Sequence, residues 1–137
     1  MNKIKYNSDV ISLINLFESM TGAKVKDCIS NEKILFIMEE NEMGKAIGKN
    51  GSNIKRIENA LKKKVKLAEF SNDIAEFIRN MSYPAQITEI KQENGTIIIQ
   101  GKDSNSKGML IGRDRQSLNH LADIVKRYFE VKEIKVI

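Results

Sequence analysis

The chain has little cysteine, proline or aromatic side chain, and each shortage excludes a class of structure. It contains one cysteine, one proline and no tryptophan in 137 residues. A single cysteine, Cys28, allows neither an intrachain disulfide nor a thiolate metal cluster, and we expect it to be a small core residue. One proline and no low-complexity stretch leave little room for a linker or a disordered tail.

Long apolar runs are also missing. No stretch approaches the roughly 18 apolar residues of a membrane span. Residues 1–6 lack the apolar core that a secretory signal requires. We therefore expect a cytoplasmic protein with no membrane partner.

The residue types needed for catalysis do not form a recognisable pattern. The only histidine, His120, has no obvious acid or metal partner, and we interpret it as a polar surface residue. Gly44 to Ser52 fails as a nucleotide-binding P-loop, because three residues instead of four separate Gly44 from Gly48 and Asn50 replaces the required Ser or Thr after Lys49. No metal-ligand spacing, nucleophile beside a histidine or carboxylate pair is visible. We expect no enzymatic activity, no cofactor and no metal.

What the chain does have is positive charge. Its formal net charge is +5 and its pI is near 9.3, which favours a polyanionic partner such as nucleic acid. Charge alone does not identify a function, since many small basic proteins bind nothing. A four-stranded RRM fold would need aromatic residues on a central strand to stack bases, and Phe36 stands alone there.

Hydrophobic periodicity predicts an α/β order of elements that occurs twice. In the first half, Ser8 is predicted to cap the first helix and Ser52 the third, and Ile54, Ile57, Ala60 and Leu61 are predicted to face inward. The predicted segments there are helix 9–20, strands 23–29 and 33–39 joined at residues 30–32, helix 43–47, helix 52–63, strand 65–70 and helix 72–81. In the second half, the predicted segments are strands 85–91 and 96–100, helices 107–111 and 116–130, and strand 131–137.

A shift of 64 residues superimposes the two halves without a gap. It places Gly44, Ile47, Gly48, Lys49, Asn50, Ile54, Ile57 and Lys62 on Gly108, Ile111, Gly112, Arg113, Asp114, Leu118, Leu121 and Lys126. Glycine, charged and apolar positions agree together, so duplication of one unit is the better explanation. Tyr83-Pro84 is the predicted boundary, because proline disfavours continuation of a helix.

The sequence Ile47-Gly48-Lys49-Asn50-Gly51, between two helices and among three strands, resembles the Gly-x-x-Gly loop of a KH domain. The leading helix and trailing strand resemble the prokaryotic type. Over roughly residues 5–137 the chain is similar to the archaeal NusA-like transcription factors. The resemblance implies an α/β (α+β) chain of two tandem prokaryotic-type KH domains, each a three-stranded sheet packed with helices, at residues 1–82 and 83–137.

The resemblance also implies an RNA site. A Gly-x-x-Gly loop clamps the backbone of about four nucleotides of single-stranded RNA. Two glycines let phosphates approach the main chain, and a helix start adds a positive dipole end. The RNA-binding residues implied in the first module are Lys45, Ile47, Gly48, Lys49, Asn50, Gly51, Ser52, Ile54, Lys55 and Arg56.

The second loop, Gly112-Arg113-Asp114-Arg115, departs from this pattern because arginine replaces the second glycine. A left-handed backbone at Arg115 would cost roughly 1–2 kcal/mol, so we expect the loop to relax into a different shape. Asp114 would repel a phosphate, although Arg113 and Arg115 could compensate. We expect an altered or supporting RNA contact from these four residues.

Other interpretations remain open at this point. The glycines could form only a tight corner between helices, and Lys62-Lys63-Lys64 with Lys66 could be favourable cations at a helix C-terminus instead of a phosphate site. By resemblance the chain is expected to act in transcription elongation, termination or antitermination, with RNA polymerase as a further partner. We expect it to be a monomer. The alternative is a KH-fold module that docks on the ribosome or RNA polymerase, with RNA contact secondary.

Overall fold

The computed structural model describes residues 8–31 and 33–137. These residues divide into two compact units, 8–71 and 72–137. Each unit contains its own three-stranded sheet. Within the described part of the chain, no helix has the length and apolar character to cross a membrane.

The first unit carries a mixed sheet with helices packed on it. Its elements are α1 Ser8–Thr21, β1 Val25–Ser30, β2 Ile34–Met38, α2 Met43–Ile47, α3 Ser52–Leu61 and β3 Val65–Glu69. The strand order is β1-β2-β3, with β1 antiparallel and β3 parallel to β2. The predicted cap at the Ser8 side chain and the turn residue Glu32 lie outside the described residues.

The core of the first unit forms around its central strand. All five residues of β2 are buried, and the ring centroids of Phe36 and Phe17 of α1 are 4.3 Å apart. Cys28 is buried, as the sequence predicts, and the buried Asp27 accepts a hydrogen bond from the Cys28 amide at 2.8 Å. Burial and the neighbouring Asp27 charge raise the pKa of the Cys28 thiol to about 11.

The parallel pairing of β2 and β3 requires a crossover, which α2, the loop Gly48–Gly51 and α3 supply. Ile57 of α3 is fully buried in the core, and Ile54 and Leu61 are half-buried. Ala60 was predicted to face inward and is exposed, because the apolar stripe of this short helix follows positions 54, 57 and 61.

The second unit repeats the same order and pairing. Its elements are α4 Ile74–Ser82, β4 Ile87–Glu93, β5 Thr96–Gly101, α5 Ser104–Ile111, α6 Gln116–Tyr128 and β6 Glu133–Val136. β4 is antiparallel and β6 parallel to β5. Residue contacts group α4 with this unit, whereas the predicted boundary after Ser82 assigned it to the first module. The domain boundary stays a prediction.

Aspartate side chains start two helices of the second unit. Asp73 accepts a hydrogen bond from the Ala75 amide at 3.0 Å, and Asp103 accepts one from the Ser106 amide at 2.8 Å. The hydrogen bonds from Ser106 lower the pKa of Asp103. Because Asp103 caps the helix, α5 begins at Ser104, three residues before its predicted start at Lys107.

Candidate nucleic-acid interface

The first glycine loop has a positive φ at three of its four residues. Gly48 has φ 74° and ψ 172°, Asn50 has φ 56°, and Gly51 has φ 73°, around a 3-10 turn at Lys49–Gly51. The Gly48 amide donates to the Gly44 carbonyl at 3.0 Å, and the Gly51 amide donates to the Gly48 carbonyl at 3.2 Å. These bonds turn the chain sharply between α2 and α3.

The two glycines of this loop are needed for different reasons. A Cβ atom at Gly48 would lie 2.8 Å from Asn53 Cγ and 2.9 Å from the Asn53 backbone nitrogen. A Cβ atom at Gly51 would meet nothing within 4 Å. Gly48 is therefore required by both φ and close packing, whereas Gly51 is required by φ alone and leaves open space above the main chain.

Asn53 is a positioning residue that sequence reasoning missed. Its Nδ2 donates a hydrogen bond to the Lys45 carbonyl at 2.7 Å, which ties the end of α2 to the start of α3. The 64-residue shift pairs Asn53 with Ser117, so the repeat gave no signal for this position. A polar residue two places after Gly51, in the first turn of a helix, was the only available hint.

The predicted cap at Ser52 is wrong. Ser52 is already helical, with φ −61° and ψ −40°, and the N-cap is Gly51. The left-handed Gly51 completes the turn, and the Ser52 amide donates a hydrogen bond to the Lys49 carbonyl. α3 begins without a side-chain cap, which leaves the positive end of its dipole open to an external anion.

Basic side chains surround this exposed corner. Lys45, Lys49, Lys55 and Arg56 are all exposed, as are Asn50 and Ser52. Glu42 lies 3.7 Å from the Lys45 ammonium, and the same carboxylate accepts a hydrogen bond from the Lys24 amide at 2.8 Å. The corner therefore combines several cations with one nearby acid that is held by the main chain.

Two apolar residues of the implied RNA site flank the loop. Ile47, at the end of α2, keeps 36% of its surface exposed, which is unusual for isoleucine. Ile54, in the first turn of α3, is half-buried. The structure thus brings every predicted residue of the first loop onto one helix–turn–helix segment.

The second loop has the same backbone as the first, so its predicted relaxation is wrong. Gly112 has φ 73° and ψ 174°, Asp114 has φ 53° and ψ 32°, and Arg115 has φ 63° and ψ 19°. Its amides also make equivalent bonds, Gly112 to Gly108 at 2.8 Å and Arg115 to Gly112 at 3.3 Å. Packing of the flanking helices overrides the local preference of arginine.

Residues of the second loop remain accessible. Arg113, Asp114 and Arg115 are exposed, and Gly112 is half-buried. A Cβ atom at Gly112 would clash with the Ser117 hydroxyl. His120 is exposed on α6, as predicted. An open hollow of about 890 Å³ lies elsewhere in this unit, and its lining includes Asn94 and residues 126–132 but no predicted site residue.

Comparison with known proteins identifies the first unit. The KH domain family matches residues 14–72, which include α2, the Gly48–Gly51 loop and α3. The crystal structure of APE1850 superimposes with a TM-score of 0.76 at 24% identity, covering 96% of this chain and all of that one. This structural likeness supports the α+β fold.

Whole-length relatives come from archaea. The chain is 36% identical to the "Probable transcription termination protein NusA" of Methanococcus vannielii, covering 98% of this chain and 80% of that protein. It is 33% identical to the protein of that name from Methanocaldococcus jannaschii, covering 100% and 77%, and 30% identical to that of Thermoplasma acidophilum, covering 99% and 97%. The chain therefore belongs to the archaeal NusA-like family of KH proteins.

Proposed function

We propose that this chain is a transcription factor of the cytoplasm that binds single-stranded RNA through two tandem KH modules. It acts on elongation, termination or antitermination by holding nascent RNA, with RNA polymerase as a further partner. The KH match and the name carried by the relatives support the process. The repeated order and pairing of elements support a second KH module in residues 72–137.

The observation that carries the proposal is the backbone of the first loop. Gly51 has no side chain and open space above it, and α3 begins directly behind it without a side-chain cap. Phosphate oxygens can therefore approach the main chain and the positive end of the helix dipole together. Lys49, exposed at the tip, adds a full charge to the same site.

The residues around the loop divide into two roles in this proposal. Lys45, Lys55 and Arg56 hold further phosphates, while Asn50 and Ser52 supply polar contacts to the backbone of the strand. Ile47 and Ile54 form the apolar floor on which unstacked bases rest. The exposure of Ile47 supports that role, because covering its apolar surface with a base is favourable.

The second loop contributes an altered contact through Gly112, Arg113, Asp114 and Arg115. Its backbone matches that of the first loop, which supports a related mode of binding. Asp114 brings a negative charge to the position of Asn50, so we expect this contact to be the weaker of the two.

The proposal is tested by replacing Lys49 and Asn50 together with aspartate. We expect the double variant to lose at least about ten-fold in affinity for single-stranded RNA, because it removes one cation and adds two acids at the clamp. Fluorescence anisotropy with a labelled oligonucleotide measures the affinity, and circular dichroism checks that the fold is intact. The slope of log affinity against log salt should be about −0.7 per phosphate contacted.

A matched control keeps the change in net charge and moves it away from the loop. Lys102→Asp with Asn105→Asp alters two exposed residues of the second unit by the same charge. This control should keep most of the RNA affinity. If the loop variant binds RNA as tightly as the control, the clamp proposal is wrong and the module is a docking domain.

A further inference from the structure

A second group of cations lies in the first unit, away from the glycine loop. Lys62, Lys63 and Lys64 follow α3, Lys66 lies in β3, and Lys33 precedes β2. The Ile34 amide donates to the Lys64 carbonyl at 3.1 Å, and Ile34 pairs with Val65, so the two segments are adjacent. We call Lys33, Lys62, Lys63 and Lys64, which are all exposed, the lysine edge.

The helix dipole does not account for the whole edge. Cations are favoured at the C-terminus of α3, which explains Lys62 and Lys63. Lys33 comes from another segment of the chain and is brought there by the sheet. Burial, together with the nearby charge of Lys33, lowers the pKa of Lys66 in β3, so Lys33 and Lys66 lie close together.

The carboxylates of the first unit are distributed unevenly around this edge. Glu58, near the end of α3, is one carboxylate beside the edge, and its Oε2 accepts a hydrogen bond from the Val65 amide at 2.9 Å. Glu32 is next to Lys33 in the sequence. Glu39 and Glu69 lie at the far ends of β2 and β3 from the lysine edge. Positive and negative side chains are therefore separated along the strands. Surfaces that serve only solubility usually intersperse the two signs.

We infer that the lysine edge binds phosphates of an RNA strand that extends beyond the nucleotides held by the glycine loop. The loop lies at the start of α3 and the edge at its end, and the 10 residues of α3 separate them by about 15 Å. Lysine point charges fit a sugar-phosphate backbone and read no base. This inference rests on the proposed function and lengthens the RNA footprint of the first module.

The test compares two lengths of RNA on one triple variant, Lys33→Gln, Lys63→Gln and Lys64→Gln. An oligonucleotide of about five nucleotides fills the loop alone, whereas one of about fifteen reaches the edge. We expect the variant to bind the short RNA as the wild type does. For the long RNA it should lose about ten-fold in affinity, with a salt slope shallower by about 2.

Two controls separate this inference from the proposed function. Lys91→Gln with Lys132→Gln and Lys135→Gln removes the same charge from exposed positions of the second unit, and its long-RNA affinity should stay above that of the edge variant. The Lys49 and Asn50 double variant should weaken both lengths. If the edge variant and this control bind the long RNA equally, or the edge variant weakens both lengths alike, the edge inference is wrong while the clamp stands. If the loop variant also changes nothing, both are wrong.

Discussion

The two loops place different residue types at the same left-handed position. Gly51 and Arg115 have φ values of 73° and 63° and nearly equal ψ values. Glycine adopts this region freely, whereas an L residue with a Cβ atom is destabilised there by about 1–2 kcal/mol. Asn50 and Asp114, also left-handed, belong to the residue types that tolerate the region best.

Arg115→Gly should stabilise the chain, and Gly51→Ala should destabilise it. Each change should alter the free energy of unfolding by about 1 kcal/mol, with opposite signs, because the φ value is the main cost at both positions. Urea titration followed by circular dichroism measures both. Gly48→Ala is the matched comparison and should cost more than Gly51→Ala, since its Cβ atom also meets the Asn53 backbone. Equal costs at residues 48 and 51 would contradict this account.

At the scale of elements, the sequence predicts the order of helices and strands in both units. Apolar runs and helical spacing indicated most of these elements, because most of them bury an apolar run or one apolar face. β2 is the plainest case, since its apolar run is buried throughout. The KH resemblance rested on five consecutive residues between two helices and among three strands, and the structure exposes the corner that these residues form.

Helix starts were less predictable than helices. Ser52 has the typical composition of an N-cap, yet the preceding left-handed glycine takes that position. Ser104 and Asn105 resemble a loop, yet the Asp103 side chain begins α5 before them. The shape of the second loop could not be predicted from residue preference, because its backbone is fixed by tertiary packing of α5 and α6. Asn53 acts through a hydrogen bond to a residue eight positions away, which no local pattern indicates.

Asp103 gives α5 a pH-dependent start. The hydrogen bonds from Ser106 hold its folded-state pKa below the ordinary value of 3.8, so the folded chain binds this proton less readily than the unfolded chain does. Its stabilising contribution is present above the ordinary pKa and is lost as pH falls through the folded pKa. Asp103→Ser keeps a capping oxygen without the charge. Urea unfolding between about pH 6 and pH 2 should show a smaller acid loss in this variant. An unchanged pH profile would contradict the assignment.

At the scale of the whole molecule, each unit has a separate sheet and its own buried residues. Units of this size have marginal stability alone. The only cysteine of the chain lies in the core of the first unit, so it reports on the unfolding of that unit.

Cys28 should resist alkylation in the folded chain. Raising its pKa from 9.0 to about 11 lowers the thiolate fraction at pH 8 by about a hundred-fold, and burial blocks access further. Iodoacetamide labelling followed by mass spectrometry should therefore be at least about a hundred-fold slower in buffer than in concentrated urea. Lys33→Cys, at an exposed position in a Cys28→Ala background, is the control and should react quickly in both. Rapid native labelling of Cys28 would contradict its placement in the core.

The parallel pairing of β2 with β3 also bears on how the chain would withstand tension. The segment that carries Gly48–Gly51 is anchored at both ends by neighbouring strands, whose residues pair from Ile34 with Val65 to Met38 with Glu69. Tension on an RNA strand bound at the loop would pass through α2 and α3 to the hydrogen bonds between β2 and β3. The loop would then open only when the pairing of β2 with β3 breaks, and not by rotation about a single hinge residue.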